Sequence, residues 1–193
     1  MNAVERMYQE APLCKFSGYS VMQIRALQRC RGSVIHELEK LPDAEALLAA
    51  HDWFVLWTLA AYEVIRTMDG PRQRGRPCFL GRVESEILSL KGTLERIRMV
   101  FAKQEYKRKG KVKDRPVDND ASISGVNIDK KDICFSVESE RYSARDWLAE
   151  FDGLIGGINA EDILADHRDS YSPITSPAHG GEAGPSPVDR ADE

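Results

Sequence analysis

The chain is poor in the residue types from which most catalytic and metal centres are built. Only four histidines occur in 193 residues, and the four cysteines, Cys14, Cys30, Cys78 and Cys134, stand far apart with no CxxC pair. Closely spaced Cys and His ligands for a structural zinc are therefore lacking, and the expectation is reduced cysteines, no metal and no cofactor. No Walker-type loop, GxGxxG, GxSxG or HExxH string is present, so phosphate-cradling, dinucleotide, α/β-hydrolase and zincin chemistry have no foothold. Long apolar runs are missing too. The best, from Trp53 to Tyr62, is interrupted by Glu63 and Arg66 and falls short of the ~20 residues a membrane span requires. Glu5, Arg6 and Glu10 break up the N-terminal stretch, so no signal peptide is expected. The reading is a cytoplasmic protein without a membrane partner.

What the sequence has in plenty is helical rhythm. Ile24, Leu27, Arg31, Val34, Leu38 and Leu41 recur at alternating spacings of three and four, and so do Leu80, Val83, Ile87, Leu90, Leu94, Ile97 and Phe101. Such a narrow seam belongs to a helix packed lengthwise against others. Trp53 to Tyr62 is apolar nearly all round, which predicts a central helix enclosed by its neighbours. The expected fold is mainly α: a bundle of three to four long helices with a small β-hairpin insertion and a disordered C-terminal tail.

Punctuation places the elements. A short helix is expected through Glu5 to Glu10, and Ser20 is a plausible N-cap for the first long helix, which Pro42 stops near Leu41. Asp43 to Ala50 reads as a short helical link. Asp52 then caps the central helix, and Asp69-Gly70 ends it. The third long helix runs from Leu80 to Lys103, its Gly92 suggesting close approach of another backbone. A hairpin insertion at about 122–138 follows, with Ile133, Phe135 and Val137 alternating inward. An isolated hairpin is marginal in water, so it must lie on the bundle. Ser143 and Asp146 resemble a capping box for a last helix, with Trp147, Leu148, Phe151, Leu154 and Ile155 on one face, and a short helix is expected from Asp162 to His167. Residues 1–168 form a single helical-bundle domain in this reading, and 169–193 a disordered tail.

The net charge of −4 conceals a split. Residues 1–115 hold 21 Lys and Arg against 14 Asp and Glu, whereas 116–193 hold 6 against 17. The excess of positive charge collects in two loops. One presents Arg72, Arg74 and Arg76; the other Lys107, Arg108, Lys109, Lys111 and Lys113, with Tyr106 beside it for stacking. These are candidate nucleic-acid-binding residues, recognising phosphate by charge and not by sequence. They flank a helix of about 22 residues and so lie about 33 Å apart, unless the second loop folds back along the bundle.

Arg31 sits in the first seam where Leu or Val is expected, and a buried guanidinium needs a partner. An antiparallel pair of helices turning through 42–52 brings Glu63 to its height, which predicts an Arg31–Glu63 ion pair. Thr58, Tyr62, Glu63 and Arg66 are candidates for an internal polar network and a small-ligand sensor site. His51 beside Asp52 reads as structural. Arg31-Gly-Ser-Val-Ile-His36 also resembles, over six residues, the Arg-x4-His motif of HEPN-type ribonucleases. That resemblance implies a four-helix protein in which Arg31 and His36 cleave RNA at a dimer cleft. The leading expectation is a non-enzymatic accessory or adaptor protein acting through protein contacts, with nucleic acid as a second partner through the basic loops. An HEPN-like ribonuclease and a small-ligand sensor are the alternatives, and a homodimer is among the assemblies allowed.

Overall fold

Asn2 opens the molecule by accepting from the Glu5 amide while the Glu5 carboxylate accepts from the Asn2 amide, a reciprocal cap for α1 (Ala3–Glu10). The computed structural model describes residues 2–103, 105–106, 115–116, 123–137 and 140–171. A 3-10 turn at Pro12–Cys14 leads to α2 (Gly18–Leu38), capped by Ser17, one turn earlier than Ser20. After a five-residue corner, Asp43 caps α3 by accepting from the Ala46 amide at 2.8 Å.

From that cap α3 runs without a break to Gln73, 30 residues in all. The expected link helix and the Asp52 cap are therefore absorbed into one element. Gly70 does not stop it either. The helix ends three residues later, at Gln73, and just beyond it Gly75 takes φ +72, the Gly75 amide donates to Arg72 O and the Arg76 amide to Pro71 O. Those two bonds and a left-handed glycine make a Schellman end, for which the sequence offers two glycines and only the geometry chooses. Next comes α4 (Gly81–Lys103), then β1 (Glu105–Tyr106) paired with β2 (Arg115–Pro116), β3 (Ile123–Asn127), β4 (Asp132–Val137), β5 (Glu140–Ser143) and α5 (Ala144–Gly157).

The three long helices run up, down and up, with α3 between α2 and α4. Both seams are buried: Ile24, Leu27, Val34 and Leu38 on α2, and Val83, Ile87, Leu90, Leu94 and Ile97 on α4. Leu80 precedes α4 and is exposed. The insertion is a three-stranded antiparallel sheet, with β5 completing the expected hairpin. Ile133, Phe135 and Val137 point into the core, where Phe135 stacks on Phe54 at 5.0 Å and meets Phe101 edge-on. Trp147 and Phe151 of α5 close the same cluster against Phe54 and Trp57. Ser143 caps α5 by accepting from the Asp146 amide.

Asp132 ties sheet to helix. It accepts from Ser143 Oγ at 2.5 Å, from the Arg145 amide at 3.1 Å and from the Ile133 amide at 2.9 Å. Arg145 in turn reaches Glu39 at the end of α2, and Lys131 Nζ donates to Leu41 O. The last described residues zip onto the α3–α4 connection. Phe79 bridges Ile163, the Leu164 amide donates to Cys78 O, and the Leu80 amide to Asp162 O. Asp169, Ser170 and Tyr171 belong to a 3-10 turn packed on this connection, so order extends past the expected tail boundary.

Candidate functional site

The candidate residues fall into three groups, and the structure treats them differently. Arg31 does not reach Glu63. Its Nε lies 2.5 Å from Asp152 on α5, and Glu63 is taken by Arg66 one turn further along α3, at 2.6 Å. The reason is register. Because α3 starts at Ala44, Cys30 lies beside Trp53, whose carbonyl accepts from the Cys30 thiol, so Arg31 is about ten residues short of Glu63's height. Burial alone raises the Cys30 pKa. All four cysteines are free thiols.

Arg31 and His36 are not brought together within the chain. Five helical residues advance about 500°, so the side chains leave α2 about 140° apart. Arg31 turns to α5, while His36 is exposed on the outer line of α2.

The sensor residues also diverge. Thr58 Oγ1 donates to Phe54 O on its own helix, Tyr62 lies under the Arg98 guanidinium at 4.6 Å, and Glu63 pairs with Arg66 toward solvent. A separate cleft of about 260 Å³ lies where α1, α2 and the end of α5 meet. It has Leu13, Ile24 and Ile158 at its base and Glu10, Arg25 and Gln28 around it.

The loop arginines have intramolecular work. Arg72 Nε donates to Asp69 at 2.8 Å, Arg74 donates to Ser170 Oγ and lies 4.1 Å over the Tyr171 ring, and Arg76 donates to Asp169 O. They hold the α3–α4 connection and the last described turn together, each through one of its guanidinium nitrogens. Lys107, Arg108, Lys109, Lys111 and Lys113 lie outside the described residues. His51, in contrast, packs its ring between Phe101 and Phe135 with Nδ1 3.2 Å from Asp52, a structural place. Among the described residues no group of three His, Cys, Asp or Glu side chains is arranged to hold a metal. Among the described residues no helix is long and apolar enough to cross a membrane.

The expected enclosure of the central helix is not found among the described residues. Trp53 to Tyr62 is apolar all round, but its helix is not enclosed. Phe54, Trp57, Thr58 and Ala61 face the core, while Leu48, Trp53 and Leu56 face outward, 64%, 42% and 55% exposed. With Ala60 exposed and Ala49, Val55 and Leu59 half-buried, they cover an arc of about 160° over more than three turns of α3, broken by one polar residue, Asp52. On neighbouring α2, Tyr19 and Met22 are 72% and 68% exposed, and the Cys30–Trp53 register sets them near residues 61–64 of α3. Glu45 marks one end of the strip and the Glu63–Arg66 pair the other. Scattered exposed leucines are ordinary, whereas these side chains fall on one face of one helix.

Comparison of the chain with protein-family profiles, with curated proteins and with solved structures finds no match, so the site stands on its own geometry.

Proposed function

We propose that this protein is a non-enzymatic accessory protein that acts through protein contacts, with the outer face of α3 as its contact surface. The observation that carries the reading is the open strip Leu48, Trp53, Leu56 and Ala60 on a helix whose opposite face is the core of the molecule. Exposed aromatic and aliphatic side chains on a rigid helix suit an interface anchor, because little conformational freedom remains to be lost on binding. A helix face in a groove, or against another helix, is the recognition mode that such a strip fits.

The two alternatives find no support in side-chain placement within the chain: for the ribonuclease, Arg31 lies against Asp152 and diverges from His36, and for the sensor, Glu63 and Arg66 pair toward solvent and not into a pocket. The test is a photoreactive residue in place of Leu56, compared with one in place of Ser89, which is exposed on α4. Cross-links to protein at position 56 and not at 89 are expected. Equal or absent cross-linking at 56 overturns the reading.

A further inference from the structure

The strip on α3 carries charges only at its ends and at Asp52, and their order along the helix selects a partner. Glu45 lies before the apolar stretch and Arg66 after it, with Glu63 between them. We propose that the surface is covered by a second copy of this chain, the two α3 helices packing antiparallel about a two-fold axis at Leu56. This inference rests on the interface reading above and names the occupant of that surface.

The register follows from spacing. With Leu56 on the axis, each residue faces one the same number of positions beyond Leu56 in the other copy. Trp53 then faces the partner's Leu59, apolar against apolar, and Asp52 faces the small Ala60. Glu45 comes within one position of the partner's Arg66, and by symmetry Arg66 meets the partner's Glu45, giving two charge pairs of opposite sign at the rim. Moving the axis by half a turn, to residue 54, instead sets Glu45 opposite the partner's Glu63, two like charges at each end. Like charges held together across an interface oppose association, so the sequence of α3 favours the Leu56 register over its neighbour.

This arrangement is isologous, the same face on both copies, which is the commonest way for a soluble chain to close an assembly. The Glu63–Arg66 ion pair within each copy does not prevent it. Arg66 uses Nε and Nη2 on a single oxygen of Glu63 and retains Nη1 to donate outward. Tyr19 and Met22 widen the buried surface beyond one helix, as an interface of ordinary size requires.

The experiment uses the full chain. Light scattering behind a sizing column, over a hundredfold range of protein concentration, should show a dimer. Glu45→Arg and Arg66→Glu should each weaken it at least tenfold, and the double variant should restore it. Leu56→Cys should form a covalent dimer under mild oxidation, against the wild type with its own four thiols as control. Circular dichroism on each variant shows whether it is folded, and charge reversal at these exposed positions leaves the core intact. A monomer at every concentration, with position 56 still cross-linking to a different protein, overturns the second-copy inference and leaves the contact surface. A monomer that cross-links to nothing removes both. A dimer indifferent to all three substitutions lies elsewhere on the molecule and also overturns the inference.

Discussion

Lys91 Nζ on α4 donates to Asp69 Oδ2 on α3 at 2.5 Å, and the carboxylate it meets is only 1% exposed. The same carboxylate accepts from Arg72 Nε and from Gln73 Nε2, so three donors from two helices converge on one acid. Burial on its own raises the pKa of Asp69; the hydrogen bonds from Lys91, Arg72 and Gln73 outweigh it and hold the group below its usual range. This is the polar clamp between the central helix and α4.

Replacing Asp69 with Asn should therefore destabilise the fold by about 2–4 kcal/mol, because Lys91 is left largely buried beside an acceptor it no longer matches. The loss should depend on pH. A carboxylate whose folded pKa is depressed contributes in full above its unfolded value near 3.8, and that contribution fades as pH falls through the lower folded value. Urea unfolding of wild type and Asp69→Asn at pH 7 and at pH 2.5 checks both. The gap between the two proteins should narrow at the acid end, and a constant gap would show that the charge is not what the clamp uses.

Two glycines should respond in opposite directions. A methyl group at Gly92, on the exposed side of α4, meets no atom within 4 Å, so the expected close approach of another backbone is absent. Gly92→Ala should stabilise by about 0.5–1 kcal/mol through helix propensity alone. Gly75→Ala should cost about 1 kcal/mol, since φ +72 at the end of α3 suits a residue without Cβ. Thermal melts of the two variants, moving apart on either side of the wild type, are the measurement.

The pair Arg31–Asp152 is 40% and 35% exposed at its side chains, and solvent screens it. A double-mutant cycle of Arg31→Ala with Asp152→Ala should give a coupling below about 1 kcal/mol. The same cycle run with Glu63→Ala should give none, since Glu63 pairs with Arg66. Coupling between Arg31 and Glu63 would place α2 and α3 in the other register.

His167 packs on Phe16 and Tyr171, and its backbone amide donates to Phe16 O. Burial, reinforced by the Arg74 charge, lowers its pKa from 6.5. The unfolded ring thus binds a proton more readily, so the stability that this contact contributes is complete above about pH 6.5 and lost as pH falls through the folded value. Proton NMR of the imidazole should show the depressed titration, and Arg74→Ala should move it upward. The protection factors of residues 163–171, taken against the intrinsic exchange rate at each pH, should fall at acid pH while those of α3 hold, because the contact fastens only the end of the described chain.

Much of the bundle is written in the order of the residues. The three-and-four spacing of Ile24 to Leu41 and of Val83 to Ile97 fixes which side of α2 and α4 is buried, since a 3.6-residue turn permits no other face to carry it. Alternation at Ile133, Phe135 and Val137 fixes the inward side of β4 for the same geometric reason. Local chemistry likewise marks Ser143 as the cap of α5, whereas Ser20 and Asp52 are locally acceptable caps that the structure passes over for Ser17 and Asp43. What sequence could not decide is which of several locally acceptable arrangements the whole molecule adopts. Gly70 and Gly75 are both legitimate helix stops, and the choice of the second, together with a start at Ala44, moves Glu63 away from Arg31. Arg72, Arg74 and Arg76 look free until Asp69, Ser170, Tyr171 and the Asp169 carbonyl are brought to them. Above all, a helix that is apolar all round can be enclosed by its own chain or left for another. Periodicity reports how much apolar surface a helix has; only packing decides how much of it is covered, and among the described residues the neighbours of α3 stop at Trp53, Leu56 and Ala60.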